Sequence, residues 1–195
     1  MIELFISSFA TFFVVIDPPG CAPIFAGLTR DCPPRERRAM AYRSVAIAAG
    51  ILLFFGLFGE DLLEALGISL AAFRIAGGIM LFLIALEMVF EKRTARRESR
   101  VQEVNDSPEV EDISVFPMAI PMIAGPGSIA SVMLLMARSD GMDESLTVLA
   151  ALGSILLLTL VALLAAGTLM RLLGVILAAL AAQFVIDGIS VSFSV

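Results

Sequence analysis

Six apolar stretches, each close to the length of a membrane span, constrain this chain more than any other feature of its sequence. They cover approximately 2–28, 39–59, 69–90, 114–137, 145–168 and 170–190. A helix needs roughly 20 apolar residues to cross the hydrocarbon core of a bilayer. The apolar share of 59% exceeds the roughly 45–50% of soluble domains. Because the stretches lack alternating polar residues, they predict transmembrane helices rather than a barrel of strands.

The basic residues indicate how these helices are oriented. If the connections alternate sides, eleven of the 13 Lys and Arg residues lie on one side, and only Arg74 and Arg138 lie on the other. Cytoplasmic loops carry an excess of Lys and Arg. The connections 29–38 and 91–113 are therefore predicted to be cytoplasmic, with both termini outside.

The chain divides into two halves around one polar linker. A first three-helix unit is predicted at 1–90, the linker at 91–113 and a second three-helix unit at 114–195. The linker is rich in Glu, Arg, Ser and Asp, which is typical of a solvated, partly disordered segment. Two interpretations stay open for it: a simple tether between the halves, or a docking or regulatory segment.

A Pro-Gly pair interrupts the first apolar stretch and recurs in the fourth. Pro19-Gly20 and Pro126-Gly127 are 107 residues apart, and the same shift superposes the second stretch on the fifth. Three spans in each half are an odd number, so the second half would be inverted relative to the first. The predicted fold is an all-α membrane protein of six transmembrane helices, formed by two inverted three-helix repeats with helices 1 and 4 broken.

The two breaks predict a binding site. Proline removes a backbone donor and clashes with the preceding turn, and unwound backbone is tolerated in a membrane only where it is protein-buried or lines a cavity. A helix that restarts after a break presents free N–H groups and the positive end of its dipole, which bind anions. Since inverted halves can aim both helix starts at one point, we expect a site for a small carboxylate. The residues predicted to bind substrate are those at the breaks and one polar residue of the last stretch: Asp17, Pro19, Gly20, Cys21, Pro23, Gly125, Pro126, Gly127, Ser128 and Gln183.

Four charged residues are candidates for ion or proton coupling. Asp17 lies near mid-span, where a carboxylate costs roughly 2.5–3.5 kcal/mol; it could pair with a substrate ammonium, hold a proton or Na⁺, or cap the helix after the break. Arg74 could pair with an acid or extend to the outer face, and Glu87 lies near the cytoplasmic end of its span. Asp187 and Gln183 are one helical turn apart, either lining the cavity or at the outer interface.

Several classes of function lose support from the sequence. The chain has no His, so imidazole metal ligands and His bases are excluded, and Cys21 and Cys32 alone form no zinc site. No basic patch interleaved with aromatic residues supports nucleic-acid binding. No intramembrane nucleophile lies beside a base, so an enzyme is not predicted. The expected partners are the lipid bilayer and a small-molecule substrate, with no cofactor beyond a coupling H⁺ or Na⁺; the oligomeric state is left open.

The motif Asp-Pro-Pro-Gly at 17–20, followed by Pro-Ile-Phe at 23–25, resembles the signature of the MarC family, also called the neutral amino acid transporter family. Similar stretches at 67–78, 119–129 and 174–189 extend the resemblance over nearly the whole chain. The resemblance implies a prokaryotic inner-membrane protein of six spans, and neutral amino acid transport is associated with some members. Cys21 departs from the polar amide or similar residue expected at its position.

These observations lead to one predicted function and one alternative. The prediction is a secondary transporter, for uptake or export, of small zwitterions such as neutral amino acids, with substrate held between the two breaks. The alternative is a scaffold or regulator without transport activity, which acts through the linker 91–113.

Overall fold

The computed structural model describes residues 1–30, 32–90 and 112–193, and within 167–193 it describes the side chains of Ala179, Ala181, Ala182, Gln183 and Ile186 alone. Every regular element in these ranges is helical. Four helical segments, the interrupted segment Ile2–Leu28 among them, are long and apolar enough to cross a membrane, and a bent helix pair forms a fifth candidate span. The prediction of an all-helical membrane protein is therefore confirmed, whereas six spans and an inverted repeat stay predictions.

The first span consists of two helices, α1 (Ile2–Ile16) and α2 (Pro18–Leu28). The residue before a proline avoids helical angles, and Asp17 accordingly adopts left-handed backbone angles, with φ 56° and ψ 67°. Asp is one of the residues that tolerate this conformation. Pro18 then occupies the first position of α2. A backbone N–H at this position has no acceptor within the helix, so proline removes no helical hydrogen bond here.

The next two spans are α3 (Pro34–Ala65) and α4 (Leu70–Val89). The cytoplasmic connection predicted at 29–38 is shorter than expected, because Pro34 starts α3 and the charged residues after it are good helix formers. At the other end of α3, Gly67 has φ +69°, its N–H donates to Glu64 O, and the Ile68 N–H donates to Leu63 O, both at 2.9 Å. This pair of bonds forms a Schellman motif. The motif ends α3 and turns the chain into α4.

The fourth predicted span consists of α5 (Ser114–Ile123) and α6 (Pro126–Met136), which are bent by 52° relative to each other. In α5, Phe116 and Ile120 have extended backbone angles, since each precedes a proline. Two wide i to i−5 hydrogen bonds hold α5 together, from Met118 N–H to Ile113 O and from Ala124 N–H to Ala119 O. Helices 1 and 4 are thus both broken, as predicted.

The last helix, α7, runs from Met142 to Phe193 and has 52 residues. The division predicted between the apolar stretches 145–168 and 170–190 was wrong for the backbone. The physical reason is that 142–193 contains no proline, and a single Gly destabilises a helix by only about 1 kcal/mol. A helix of this length extends for about 78 Å, so the candidate span Met142–Ala166 accounts for only part of it.

The helices pack around a core centred on α7. α7 lies against α1 and α2, while α3 contacts α5 and α6. Phe12, Ile16, Phe25, Leu52 and Ile155 are completely buried there. Large apolar side chains on the outer faces of α3 and α4 are exposed instead, as expected of helices that face lipid; they include Phe54, Leu57, Phe58, Ile75, Ile79 and Phe82.

Small residues allow α6 to approach α3 and α4 closely. A Cβ atom on Gly59 would lie 2.8 Å from the Met133 side chain, and one on Gly77 would lie 2.8 Å from Leu134 Cδ1. Gly positions of this kind let the backbones of membrane helices come together. The bent pair α5–α6 is therefore enclosed by packing on several sides.

Replacing Gly67 by Ala is expected to lower the free energy of unfolding by about 1–2 kcal/mol, because a Cβ atom is unfavourable at left-handed angles. Thermal unfolding of the detergent-solubilised protein measures the change. Gly50→Ala in α3 is the matched control, since a Cβ atom there meets nothing within 4 Å and Ala favours the helix. Equal losses in the two variants would contradict the role given to the Schellman motif.

Candidate functional site

Asp17 both interrupts the first span and caps the helix that follows. Its N–H donates to Phe13 O at 2.9 Å, which ends α1, and its carbonyl accepts the Cys21 N–H at 3.0 Å, which begins α2. The Asp17 carboxylate Oδ1 accepts the Gly20 N–H at 3.0 Å. This bond satisfies one of the N–H groups that lack a helical partner at the start of α2. The capping role considered for Asp17 is thus present in the structure, and its roles toward a substrate or an ion stay predictions.

The other residues predicted at the first break face in different directions. Cys21 is completely buried, and its thiol donates to Ile16 O at 3.4 Å. Gly20 is half-buried, while Pro19 and Pro23 are exposed. Of this group, Cys21 therefore faces the protein interior, and the two prolines lie on the outer surface of α2.

The second break depends on glycine at one position. A Cβ atom on Gly125 would lie 2.4 Å from the carbonyl oxygen of Pro121, which is too close for any other residue. The Ala124 N–H donates to Ala119 O at 2.8 Å and so secures the end of α5. The chain can turn into α6 at this place because nothing projects from the α-carbon of Gly125.

The first turn of α6 is buried and has no side-chain cap. Gly127 and Ser128 are buried, whereas Pro126 is exposed and has no N–H. The hydrogen-bond ladder of α6 begins with the Ile129 N–H, which donates to Gly125 O at 3.0 Å. The N–H groups of Gly127 and Ser128 precede that bond, so they have no partner within the helix. They mark the positive end of the α6 dipole inside the protein.

The start of α6 lies against the end of α1, close to the first break. A Cβ atom on Gly127 would lie 3.1 Å from Val15 Cγ1 and 2.4 Å from Ile84 Cδ1. Val15 is two residues before Asp17. The two interruptions of the membrane helices are thus neighbours, with apolar side chains of α1 and α4 covering the first turn of α6.

Two adjoining cavities lie beside this contact, the larger between α1 and α4 and the smaller between α1, α4 and α6. The larger, of about 360 Å³, reaches Val15 and Ile84 and is lined almost entirely by apolar side chains. The smaller, of about 190 Å³, is lined by Arg74, Arg138 and Ser131. Thr11 and Leu81 line both cavities. The cavities therefore follow α1 and α4 from the C-terminal end of α6, near Arg74 and Arg138, toward the broken helices.

The remaining predicted residues lie away from the breaks. Arg74 donates from Nη2 to the carbonyl of Ala137 at 2.9 Å, at the C-terminal end of α6; no carboxylate lies within ion-pair distance of it in the described ranges. Glu87 is half-buried on α4, and Gln183 is exposed on α7. The side chain of Asp187 lies outside the described residues. In the same ranges, no cluster of three or more His, Cys, Asp or Glu side chains could hold a metal ion.

Sequence reasoning missed the hydroxyl groups of the cavities, Thr11 and Ser131. Ser131 is one helical turn beyond Ser128, so a search for polar residues on one face of α6 would have found it. Thr11 gives no comparable signal in the sequence, because a Thr in an apolar helix often donates its hydroxyl to a carbonyl of its own helix. Thr11 does so to Ser7 O at 2.8 Å.

A separate polar cluster lies before α5, at the end of the described chain next to the linker. Asp112 pairs with Arg43 of α3 at 2.8 Å and accepts hydrogen bonds from the Ser114 hydroxyl and backbone N–H. The Ser114 donors, with Arg43 adding to them, hold the pKa of Asp112 below its ordinary value. This cluster connects the first half of the chain to the start of the second.

The fold and the two neighbouring breaks define an integral membrane protein with interrupted spans, and comparison with known proteins gives its family. Residues 2–193 match the family model described as MarC family integral membrane protein. The chain therefore belongs to the MarC family.

Curated relatives agree with this assignment. A UPF0056 membrane protein of Methanocaldococcus jannaschii is 37% identical, over 96% of this chain and 97% of the relative. The UPF0056 membrane protein YvbG of Bacillus subtilis is 35% identical, over 82% and 75%. The UPF0056 inner membrane protein YhgN of Escherichia coli K12 is 32% identical, over 94% and 95%. No solved structure is significantly similar to the chain.

Gly125→Ala is expected to lower the free energy of unfolding by about 1–3 kcal/mol, the usual effect of forcing an atom into filled space. The contact is with backbone, so no side chain can move aside. Gly27→Ala in α2 is the control, because a Cβ atom at Gly27 meets nothing within 4 Å. Thermal unfolding in detergent compares the variants, and an unchanged midpoint for Gly125→Ala would contradict the geometry of the second break.

Asp112→Asn is expected to lower stability at pH 7 by about 1 kcal/mol or less, because both charges are largely exposed. The Ser114 donors lower the pKa of Asp112 in the folded protein, so its contribution is complete above the ordinary pKa of aspartate, about 3.9, and disappears as the pH falls through the folded pKa. Unfolding midpoints between pH 7 and pH 3 measure this difference, with Asp61→Asn as the control. A stability difference between Asp112→Asn and the unmodified protein that grew toward low pH would contradict the role given to the Asp112 charge.

Proposed function

We propose that this chain is a secondary transporter of small zwitterions, neutral amino acids above all, in the inner membrane of a prokaryotic cell. The observation that carries the proposal is the contact between the start of α6 and the end of α1, where Gly127 lies against Val15. Two interrupted spans that meet beside a cavity are the arrangement in which transporters of several folds bind substrate.

The two breaks offer opposite electrostatic partners. At the first break Asp17 supplies a carboxylate, which favours an ammonium group. The start of α6 supplies the N–H groups of Gly127 and Ser128 and the positive end of a helix dipole, which favour a carboxylate. Because Asp17 already caps α2 through Gly20, the start of α6 is the better place for the substrate carboxylate. A small zwitterion complements this pair of groups.

The cavity beside Val15 and Ile84 supports access to this site. These two side chains line the cavity and also cover Gly127. In this conformation they separate the cavity from the first turn of α6. A different rotamer of Ile84, or a small shift of α4, would open a path from the cavity to the first turn of α6. Alternating access requires a closed state of this kind.

The orientation proposed for the chain puts both termini outside and the linker 91–113 in the cytoplasm, as the distribution of Lys and Arg favours. The ion pair between Arg43 and Asp112 is consistent with this, since it joins two segments assigned to the cytoplasmic side. The name of the Escherichia coli relative refers to the inner membrane. The coupling ion is proposed to be H⁺ or Na⁺, with Asp17 as its first candidate residue.

Asp17→Asn is expected to reduce the uptake of labelled glycine, alanine or serine into proteoliposomes by about 10- to 100-fold, the effect of losing a hydrogen bond to a charged group of about 1.5–3 kcal/mol. Asn keeps an oxygen that can cap α2 and also tolerates left-handed angles, so the variant removes the charge and leaves the break intact. Uptake is measured with and without a Na⁺ gradient and with a pH gradient.

Asp61→Asn, at an exposed acid of α3, is the matched control and should transport at the rate of the unmodified protein. A normal rate for Asp17→Asn would remove its charge from the mechanism. If the unmodified protein moves none of the amino acids under any gradient, the transport proposal fails. A cellular phenotype that then depends on the linker 91–113 would favour a scaffold instead.

A further inference from the structure

The smaller cavity, of about 190 Å³ between α1, α4 and α6, concentrates positive charge. Arg74 and Arg138 both line it, and in the described part of the chain neither forms an ion pair. Arg74 uses one N–H for the carbonyl of Ala137, out of the five that a guanidinium carries. Two guanidinium groups at one cavity repel each other and attract an anion.

Ser131 supplies the second, independent observation. It is 1% exposed, it lines the same cavity, and its hydroxyl has no hydrogen-bond partner among the described residues. Leaving a buried hydroxyl unsatisfied is unfavourable, so a ligand that accepts its hydrogen bond is favoured.

The behaviour of the other helical hydroxyl groups shows that Ser131 is unusual. Several helical Ser and Thr side chains donate to the carbonyl four residues earlier, which satisfies each hydroxyl within its own helix; they are Thr11, Ser44, Thr147, Ser154 and Thr159. Ser131 makes no such bond. Ser8 is the other buried hydroxyl without a partner in the described ranges, and it lines neither cavity.

We propose that this cavity is a binding site for a small carboxylate, with the Ser131 hydroxyl and the Arg74 guanidinium as hydrogen-bond donors and Arg138 as a second positive charge. Its volume equals that of about six water molecules at ~30 Å³ each, which suits a molecule of a few heavy atoms. On the proposed orientation the site lies at the outer side of the membrane.

The position of the site gives it a role in transport, and that role rests on the proposed function. Thr11 and Leu81 line both this cavity and the larger one. The larger cavity reaches Val15 and Ile84, which cover Gly127. A zwitterion bound here through its carboxylate would be held one step before the broken helices. Carboxylate binding itself can be measured without any transport.

The test is calorimetric titration of the full-length protein in detergent with acetate, at pH 7 and constant ionic strength set with NaCl. Acetate is expected to bind saturably to the unmodified protein. Ser131→Ala is expected to weaken acetate binding about 10-fold, and Arg74→Gln is expected to weaken it by at least as much. Ser8→Ala, which removes a buried hydroxyl away from the cavity, is expected to leave the affinity unchanged.

Ser131→Ala removes an unsatisfied group and should fold at least as well as the original, so its result is interpretable even if Arg74→Gln unfolds. Absence of acetate binding, or equal affinities for the Ser131→Ala and Ser8→Ala variants, would overturn the proposal. A second arm replaces acetate with phosphatidylglycerol in mixed micelles. Binding of that lipid without binding of acetate would assign the cavity to a phosphate headgroup and would also overturn it.

The two proposals fail in distinguishable ways. If acetate binding depends on Ser131 but no amino acid is transported, the carboxylate site stands and the transport function does not. If neutral amino acids are transported at full rate by Ser131→Ala and acetate does not bind, the transport function stands without this site.

Discussion

The satisfaction of backbone polar groups inside a membrane determines the form of this protein. Each N–H and C=O group in the hydrocarbon region needs a partner within the protein, yet prolines interrupt two of the spans. The structure meets this requirement locally: the Asp17 carboxylate accepts the Gly20 N–H, and wide hydrogen bonds hold α5 together. Packing by α3, α4 and α1 then encloses the bent pair α5–α6.

The helix that follows each break begins in a different way, and this difference gives the two breaks opposite charge. At the first break, an acidic side chain fills the start of the new helix. At the second, glycine at 125 lets the backbone pass the Pro121 carbonyl, and no side chain caps α6. One break is therefore negative and the other is the positive end of a helix. Under the proposed function, a site built from such a pair would select a ligand by its charge separation as well as by its size.

Positive charge at the opposite end of α6 extends this arrangement. Arg74 donates to the carbonyl of Ala137, the residue that follows α6, where the helix dipole is negative. Both ends of α6 thus contact side chains of other helices. Val15 of α1 and Ile84 of α4 lie against its start, and Arg74 of α4 lies at its end. The cavities that follow α1 and α4 extend from the C-terminal end of α6 to Val15 and Ile84, which cover its first turn. α6 has only 11 residues, about 16 Å at 1.5 Å per residue, so its two ends lie close together.

The sequence by itself determined the membrane class, the helical architecture, and the positions of both breaks, because apolar length and proline act locally along the chain. It also indicated that Asp17 could cap α2. It was wrong about the division between the stretches 145–168 and 170–190, since one helix runs through both and no proline interrupts it. The tertiary structure alone decided that Gly127 meets Val15 and Ile84, and that Ser131 shares a cavity with two arginines. Such contacts join residues far apart in the chain, and their formation depends on how whole helices pack.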